Sequence, residues 1–273
     1  MLTGSIGFLS DAAESIVNLV SAIVALIAVR VAARPPDDDH AYGHEKAEYF
    51  SAGTEGALIL GAAVSIAWVA VGRLSNPEPL SDVGIGVAVS ALASALNLAV
   101  AVVLMRAGRE ARSITLEADG RHLMTDVWTS AGVIVGILAV AVTGWNRLDP
   151  IIALLVAANI VRAGLQLIGR STGGLMDHSL GQEELAAIEA VLDRYRAESV
   201  DFHALRTRQS GRRAFVSLHV LVPGDWTVQQ GHDAAERVET ALRAQLPYAT
   251  VFTHVEPRED SASYRDVRLD RLA

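Results

Sequence analysis

Five long apolar runs constrain this chain more than any other feature of its sequence. They cover residues 9–33, 50–72, 83–105, 119–145 and 149–169, and each comes near the ~20 residues that an α-helix needs to cross a bilayer. The third run is apolar or small on every side, whereas a helix buried in a large soluble domain would keep one charged face. The runs therefore predict an α-helical polytopic membrane domain over residues 1–172, surrounded by lipid.

The basic residues of the loops predict the orientation of this domain in the membrane. The first and third loops carry several Lys and Arg residues, whereas the second and fourth carry one Arg each. By the positive-inside rule, the first and third loops and everything after residue 170 are cytoplasmic, as in a multi-pass protein of the inner (cell) membrane. Five spans that end in the cytoplasm place the N-terminus outside. We therefore expect either an odd number of spans or a missing first helix.

Composition excludes several classes of site and partner. The chain has no cysteine and a formal net charge of −8. Without cysteine, neither a disulfide framework nor a thiolate metal site can form. The acidic balance argues against nucleic acid as a partner.

The character of the sequence changes after a glycine-rich hinge at residues 173–181. Residues 182–257 show helical spacing, two strand-like segments joined by Ser210-Gly211, a second amphipathic helix that begins at Thr227, and a third strand. The order α-β-β-α-β predicts a small cytoplasmic α+β domain with its helices on one face of the sheet. Residues 258–273 are polar without periodicity, and we expect them to form a disordered tail.

Two polar pairs interrupt the apolar runs at helical spacing. His122 and Asp126 are four residues apart in the fourth run, and Glu14 and Asn18 have the same spacing in the first. Ionisable groups inside a membrane are costly and mark functional sites. Two facing helices with these pairs would supply four ligands, the tetrahedral number for a divalent transition metal. Glu55 of the second run is expected to face the bundle interior, and we assign it no chemistry.

Further candidate metal ligands lie outside the apolar runs. Asp37, His40 and His44 fall within eight residues of the first loop, after two prolines that end the preceding helix. Each predicted strand of the soluble domain carries one histidine, and the adjoining helix carries another. Imidazole and carboxylate ligands at this density suit divalent metals. The candidates in the soluble domain, for one or two sites, are His203, His219, His232, His254 and Glu256.

Four segments carry a resemblance to a known family. They read EADGRHLMTD in the fourth run, DDDHAYGHEKAE in the first loop, LDPIIALLVAANIV in the fifth run and HALRTRQSG in the soluble domain. In this respect the chain resembles the cation diffusion facilitators, most closely the bacterial zinc and ferrous-iron efflux pump type. The resemblance implies six transmembrane helices, a cytoplasmic metallochaperone-like domain, a homodimer, and exchange of a divalent cation for protons. It also places residues 3–5 after the family's first helix, which implies that this helix is missing here.

The resemblance assigns roles to the candidate residues. The family's transport site maps onto Glu14, Asn18, His122 and Asp126, and Asn18 departs from the usual aspartate by removing one anionic ligand. The family's loop site and its cytoplasmic binuclear site map onto the ligand sets already named. A charge interlock between subunits maps onto two further residues, Lys46 and Asp177.

The expected activity is therefore export of Zn²⁺, or of Fe²⁺, Mn²⁺, Co²⁺ or Cd²⁺, from the cytoplasm in exchange for protons by alternating access. Zn²⁺ is also the metal expected at the cytoplasmic sites. The alternative is a membrane-bound metal sensor or a truncated transporter fragment that does not transport. An intramembrane metalloenzyme is disfavoured because the chain lacks an HExxH motif and any nucleophile constellation.

Overall fold

The computed structural model describes residues 6–75, 83–145, 147–265 and 267. The chain forms two compact units, Met1–Gly173 and Gly174–Ala273. Among the residues described, the first unit contains five long helices, and the second contains two helices, three strands and a short 3₁₀ helix.

Each of the five apolar runs forms one long helix. The helices are α1 (Ile6–Ala32), α2 (Ala47–Ser75), α3 (Val83–Ala111), α4 (Ile114–Thr143) and α5 (Leu148–Leu175). Within the described residues, three segments are long and apolar enough to cross a membrane: Ala47–Ser75, Ala91–Ala111 and Pro150–Leu175. The other two of the five predicted spans are not among these segments. The first half of α4 carries charged residues, and the described apolar stretch of α1, Leu19–Ala32, is shorter.

Helices α2 and α5 approach each other closely at glycines. A Cβ atom added at Gly56 would lie 2.7 Å from Ile168 Cγ1 and 3.3 Å from the Gly164 carbonyl oxygen. At the cytoplasmic end of the same contact, the hydroxyl of Ser171 donates to the carbonyl of Tyr49 at 2.5 Å. Small residues that bring helix backbones together are the usual basis of helix association in membranes.

A buried carboxylate joins α2 to the start of α4. Glu48 Oε2 accepts from Ser113 Oγ at 2.5 Å and from the backbone N–H of Thr115 at 3.2 Å. In return, Thr115 Oγ1 donates to the carbonyl of Glu48 at 3.2 Å. The first backbone N–H groups of a helix have no partner within the helix and favour negative charge. Glu48 therefore caps α4 and sets where that helix begins relative to α2.

Replacing Glu48 with glutamine should lower the melting temperature of the detergent-solubilised protein. The amide keeps the size of the side chain and one acceptor oxygen, but it removes the negative charge that favours the N-terminus of α4, an interaction worth about 0.3–2 kcal/mol. Glu110→Gln is the control, because Glu110 is exposed at the end of α3. Equal melting temperatures for the two variants would show that Glu48 does not hold α4.

The second unit has the predicted α-β-β-α-β order. Its elements are α6 (Gln182–Arg196), β1 (Asp201–Ser210), β2 (Arg213–Val222), α7 (Val228–Gln245) and β3 (Ala249–Pro257). The sheet order is β1-β2-β3, with β1 antiparallel and β3 parallel to the central β2. Thr227 caps α7 as expected, since its hydroxyl accepts from the backbone N–H of Gln230 at 3.2 Å.

The two faces of this sheet differ in chemistry. One face packs against α6 and α7 and forms the apolar core, in which Leu218 and Val220 of β2 are fully buried. His219 lies between these two residues and, because side chains alternate along a strand, points to the opposite face. A β-bulge in β1 interrupts the pairing between His203 and Arg206. The core therefore forms on the helix side, and the histidines occupy the other side.

The structure describes the predicted hinge and the first part of the predicted tail. Helix α5 continues through Gly173 and Gly174, and irregular backbone occupies only residues 176–181 of the predicted hinge. In the predicted tail, Ser261–Tyr264 forms a 3₁₀ helix, and Ser263 is buried and donates to the Pro257 carbonyl at 2.8 Å. Local hydrogen bonds hold this 3₁₀ helix, and disorder of the tail stays a prediction.

Candidate metal centres

The intramembrane candidate centre lies on α4. His122 is buried, and Asp126 follows one helical turn later and is half-buried. Helix α4 packs against α1, which carries Glu14 and Asn18, also one turn apart. The side chains of Glu14 and Asn18 lie outside the described part of the structure. The packing of α1 against α4 is the arrangement that a site shared by the two pairs requires.

A residue without an assigned role lies beside His122. Oε2 of Glu55, on α2, is 3.2 Å from Nδ1 of His122, and the two side chains are 1% and 8% exposed. Asp119, one turn before His122 on α4, is a further acidic residue close enough to interact electrostatically with both groups. The sequence signal for Glu55 was its position in an otherwise apolar run, but which neighbour it meets depends on how α2 crosses α4.

The first loop brings its three predicted ligands together. Nε2 of His44 lies 3.2 Å from Asp37 Oδ2, and Nδ1 of His40 lies 3.1 Å from Asp37 Oδ1. One ligand atom from each residue lies within 4.8 Å of the others. Asp37 and His40 are exposed, whereas the His44 side chain is 9% exposed. This spacing allows the three side chains to bind one divalent cation.

Local interactions hold Asp37 in its ionised form. Desolvation acts to raise the pKa of Asp37, but hydrogen bonds from the backbone N–H and imidazole of His40, together with His44 nearby, lower this pKa below its ordinary value. The carboxylate is therefore available as a ligand throughout the neutral pH range.

Replacing Asp37 with asparagine should lower the zinc bound per chain by about one equivalent, because the loop cluster then loses its anionic ligand. Equilibrium dialysis of the detergent-solubilised chain measures this number. Asp38→Asn is the matched control, since Asp38 is exposed in the same loop and lies outside the cluster. If both variants bind as much zinc as the unchanged chain, the loop cluster is not a metal site.

The cytoplasmic candidate centre is built by strand register. His203, His219 and His254 are direct partners across β1, β2 and β3, so their side chains share the open face of the sheet. Nε2 of His203 lies 3.1 Å from His219 Nδ1 and 2.8 Å from Glu256 Oε2, which is in turn 3.1 Å from His219 Nδ1. The His203, His219 and Glu256 side chains are 8–13% exposed. These three ligand atoms form a compact triangle suited to one cation.

The two other predicted ligands of this domain lie outside the triangle. His254 is exposed, with Nδ1 at 3.8 Å from the second oxygen of Glu256 and its ring 5.1 Å from that of His219. This position extends the cluster toward a second cation that Glu256 could bridge. His232 lies on α7, exposed and outside the three-residue cluster.

The C-terminal segment contributes to the surroundings of this centre. The Tyr264 ring packs edge-on against the His203 ring, with centroids 5.6 Å apart. The Tyr264 hydroxyl donates to the Arg258 carbonyl at 3.1 Å, and Arg206 Nη2 donates to the Val267 carbonyl at 2.8 Å. These contacts hold one edge of the His203 imidazole. Sequence reasoning missed Tyr264, because residues 258–273 carry no periodic signal.

The predicted charge interlock involves one residue from each unit. Asp177 belongs to the second unit, where Arg208 Nη1 lies 3.0 Å from its Oδ1. Lys46 belongs to the first unit, in the turn before α2. An interlock between subunits stays a prediction.

Comparison with known proteins places this arrangement in a family. The model of the cation efflux transmembrane domain matches residues 1–176, and that of the cation efflux protein cytoplasmic domain matches residues 180–258. The chain belongs to the cation efflux family. This confirms the resemblance to the cation diffusion facilitators, and the protein is a membrane-embedded cation efflux transporter with a cytoplasmic C-terminal domain rather than an enzyme.

Relatives of this cation efflux protein align over nearly its whole length. The uncharacterized transporter sll1263 of Synechocystis sp. is 51% identical, covering 97% of this chain and 85% of the relative. The cation-efflux pump FieF of Shewanella oneidensis is 30% identical, covering 94% and 86% respectively. A solved structure, the metal-bound C-terminal domain of the CzcD transporter from Thermotoga maritima, aligns with a TM-score of 0.27 and 25% identity, covering 30% of this chain and 99% of that chain.

Proposed function

We propose that this cation efflux protein exports Zn²⁺, or another borderline divalent cation such as Fe²⁺, Mn²⁺, Co²⁺ or Cd²⁺, in exchange for protons. The observation that carries the proposal is the buried His122 with Asp126 on the same face of a membrane helix that packs against α1. Imidazole and carboxylate ligands without sulfur suit such cations. Glu14 and Asn18 would complete the site from α1.

Proton exchange follows from the chemistry of these ligands. A metal ligand must be deprotonated, so binding of the cation releases protons from the site. In the state open to the cytoplasm, the cation displaces protons from His122, Asp126 and Glu14. In the state open to the other side, protons bind these groups again and the cation leaves. Movement of the helices between the two states gives alternating access, as in other secondary transporters.

The cytoplasmic centre is proposed to sense the same cation. Binding at His203, His219 and Glu256, with His254 and His232 as further ligands, would favour the transport-ready arrangement of a homodimer. Such a shift requires tighter metal binding in one arrangement than in the other. The sensing role fails if removal of His232 and His254 leaves the metal dependence of transport unchanged.

The deciding experiment measures zinc and manganese flux together with internal pH in proteoliposomes of this 273-residue chain. An imposed pH gradient should drive cation movement in one direction, with proton movement in the other. Protein-free vesicles under the same gradient are the control. Metal binding by the purified chain without flux above this control would instead favour the sensor, a role to which Asn18 is suited because it removes an anionic ligand.

A further inference from the structure

The contact between Glu55 and His122 has a role beyond helix packing. We propose that Glu55 is a ligand of the transported cation, so that α2 supplies a carboxylate to the intramembrane site in addition to the residues of α1 and α4. The proposal rests on the transport function proposed above. It gives the chain an anionic ligand in place of the one that Asn18 lacks.

The distance between the two ligand atoms fits a shared cation. Two atoms that each lie about 2.0–2.1 Å from one cation are about 3.3 Å apart in tetrahedral coordination and about 2.9 Å apart in octahedral coordination. Glu55 Oε2 and His122 Nδ1 are 3.2 Å apart. Oε2 of Glu55 makes no hydrogen bond of regular geometry to a described residue, and the carboxyl group has the Ser21 hydroxyl of α1 as a further polar neighbour. The two atoms are thus spaced as neighbours in a coordination shell and are not aligned as donor and acceptor.

Burial makes a purely structural role costly for Glu55. Its side chain is 1% exposed in the interior of a helix that is otherwise apolar enough to cross a membrane. An ionised carboxylate in this environment costs several kcal/mol unless a positive charge compensates it or a proton neutralises it. The carboxyl group of Asp119 is close enough to interact electrostatically with both Glu55 and His122. A divalent cation would neutralise two carboxylates at once, which an imidazole alone cannot do.

The same helix carries a buried carboxylate of a different kind. Glu48 lies two turns before Glu55, and Oε2 of Glu48 accepts hydrogen bonds from Ser113 and Thr115 at the start of α4. Its environment accounts for its charge without any ligand. The contrast between the two residues provides a matched control within one helix.

The test uses the full chain with Glu55→Gln, Glu55→Asp and the control Glu48→Gln. In proteoliposomes, Glu55→Gln should raise the zinc concentration that gives half-maximal flux by at least ~10-fold, the lower limit reported for loss of a residue that supports a metal ligand. Glu48→Gln should lower the melting temperature but leave this concentration unchanged. An unchanged half-maximal concentration in folded Glu55→Gln protein overturns the proposal.

Cobalt absorption tests whether the loss of Glu55 changes the coordination of the bound cation. The visible bands of bound Co²⁺ depend on the number and geometry of its ligands. Subtracting the spectrum of Glu55→Gln from that of the unchanged chain removes the bands of Co²⁺ bound at the loop and cytoplasmic sites, which both proteins share. A difference spectrum is expected for Glu55→Gln, and also for Glu55→Asp, which keeps the charge and is the variant to use if Glu55→Gln does not fold. Identical cobalt spectra overturn the proposal, even if flux is weakened. Because this reading needs no flux, it decides the role of Glu55 separately from the question of transport.

Discussion

Replacing Asp126 with asparagine is expected to reduce proton-coupled zinc flux to the level of protein-free vesicles. The carboxylate lies one turn after the buried His122 on α4, half-buried in the same unit of the protein. Asparagine keeps the shape of the side chain but removes both a negative charge and a group that can carry a proton. The variant therefore loses cation affinity and proton exchange together. Zinc uptake and internal pH are recorded in the same vesicles.

The control for this variant lies one turn further along the helix. Thr129 Oγ1 donates to the carbonyl of Thr125 at 3.0 Å, a bond within α4 itself. Thr129→Val changes polarity near the site without touching a proposed ligand, and its flux should match that of the unchanged chain. Substantial proton-coupled flux in Asp126→Asn would rule out Asp126 as an essential ligand and would move the transport site elsewhere.

The second large effect is expected at the cytoplasmic centre. Replacing Glu256 with glutamine should weaken zinc binding there by about 100-fold or more, since even residues outside the first ligand shell change affinity by 10–100-fold. One oxygen of Glu256 lies within 3.1 Å of a nitrogen of both His203 and His219. The substitution removes the negative charge that both imidazoles share. It leaves the strand pairing of β3 with β2 intact.

Two measurements on the full chain report the loss of zinc affinity in Glu256→Gln. Competition with a chromophoric chelator reports the affinity directly. The rise in stability on adding excess zinc should also shrink by about 2.7 kcal/mol for a 100-fold weaker site. Glu236→Gln is the control because Glu236 is exposed on α7. Equal zinc affinity in the Glu256 and Glu236 variants would show that the triangle of ligands does not bind metal.

Sequence periodicity determined the elements of this protein because it reflects local physics. A run of about 20 apolar residues can satisfy its backbone in a bilayer only as a helix, and all five runs are helical. In the cytoplasmic domain, the alternation of β2 and the amphipathic pattern of α7 predicted the elements and their order. The loop ligands were also predictable, since Asp37, His40 and His44 are close in sequence and a short turn brings them together.

Tertiary structure decided which residues meet in the clusters that join distant parts of the chain. Which three groups converge in the cytoplasmic centre depends on strand register, and a shift of one residue would have placed His219 in the apolar core. Tyr264 contacts His203 because the segment after β3 folds back along the sheet. No periodic pattern in the sequence predicts this path.

The contact between Glu55 and His122 shows most clearly what the sequence determines and what the tertiary structure decides. The sequence by itself determined that Glu55 lies inside a membrane helix and that His122 and Asp126 share a face of another. Only the crossing of α2 and α4 decided that Glu55 meets His122 at 3.2 Å. The physical reason is that apolarity and hydrogen bonding within a helix act over a few residues of the chain, whereas the angle and depth at which two helices pack depend on side chains far apart in sequence.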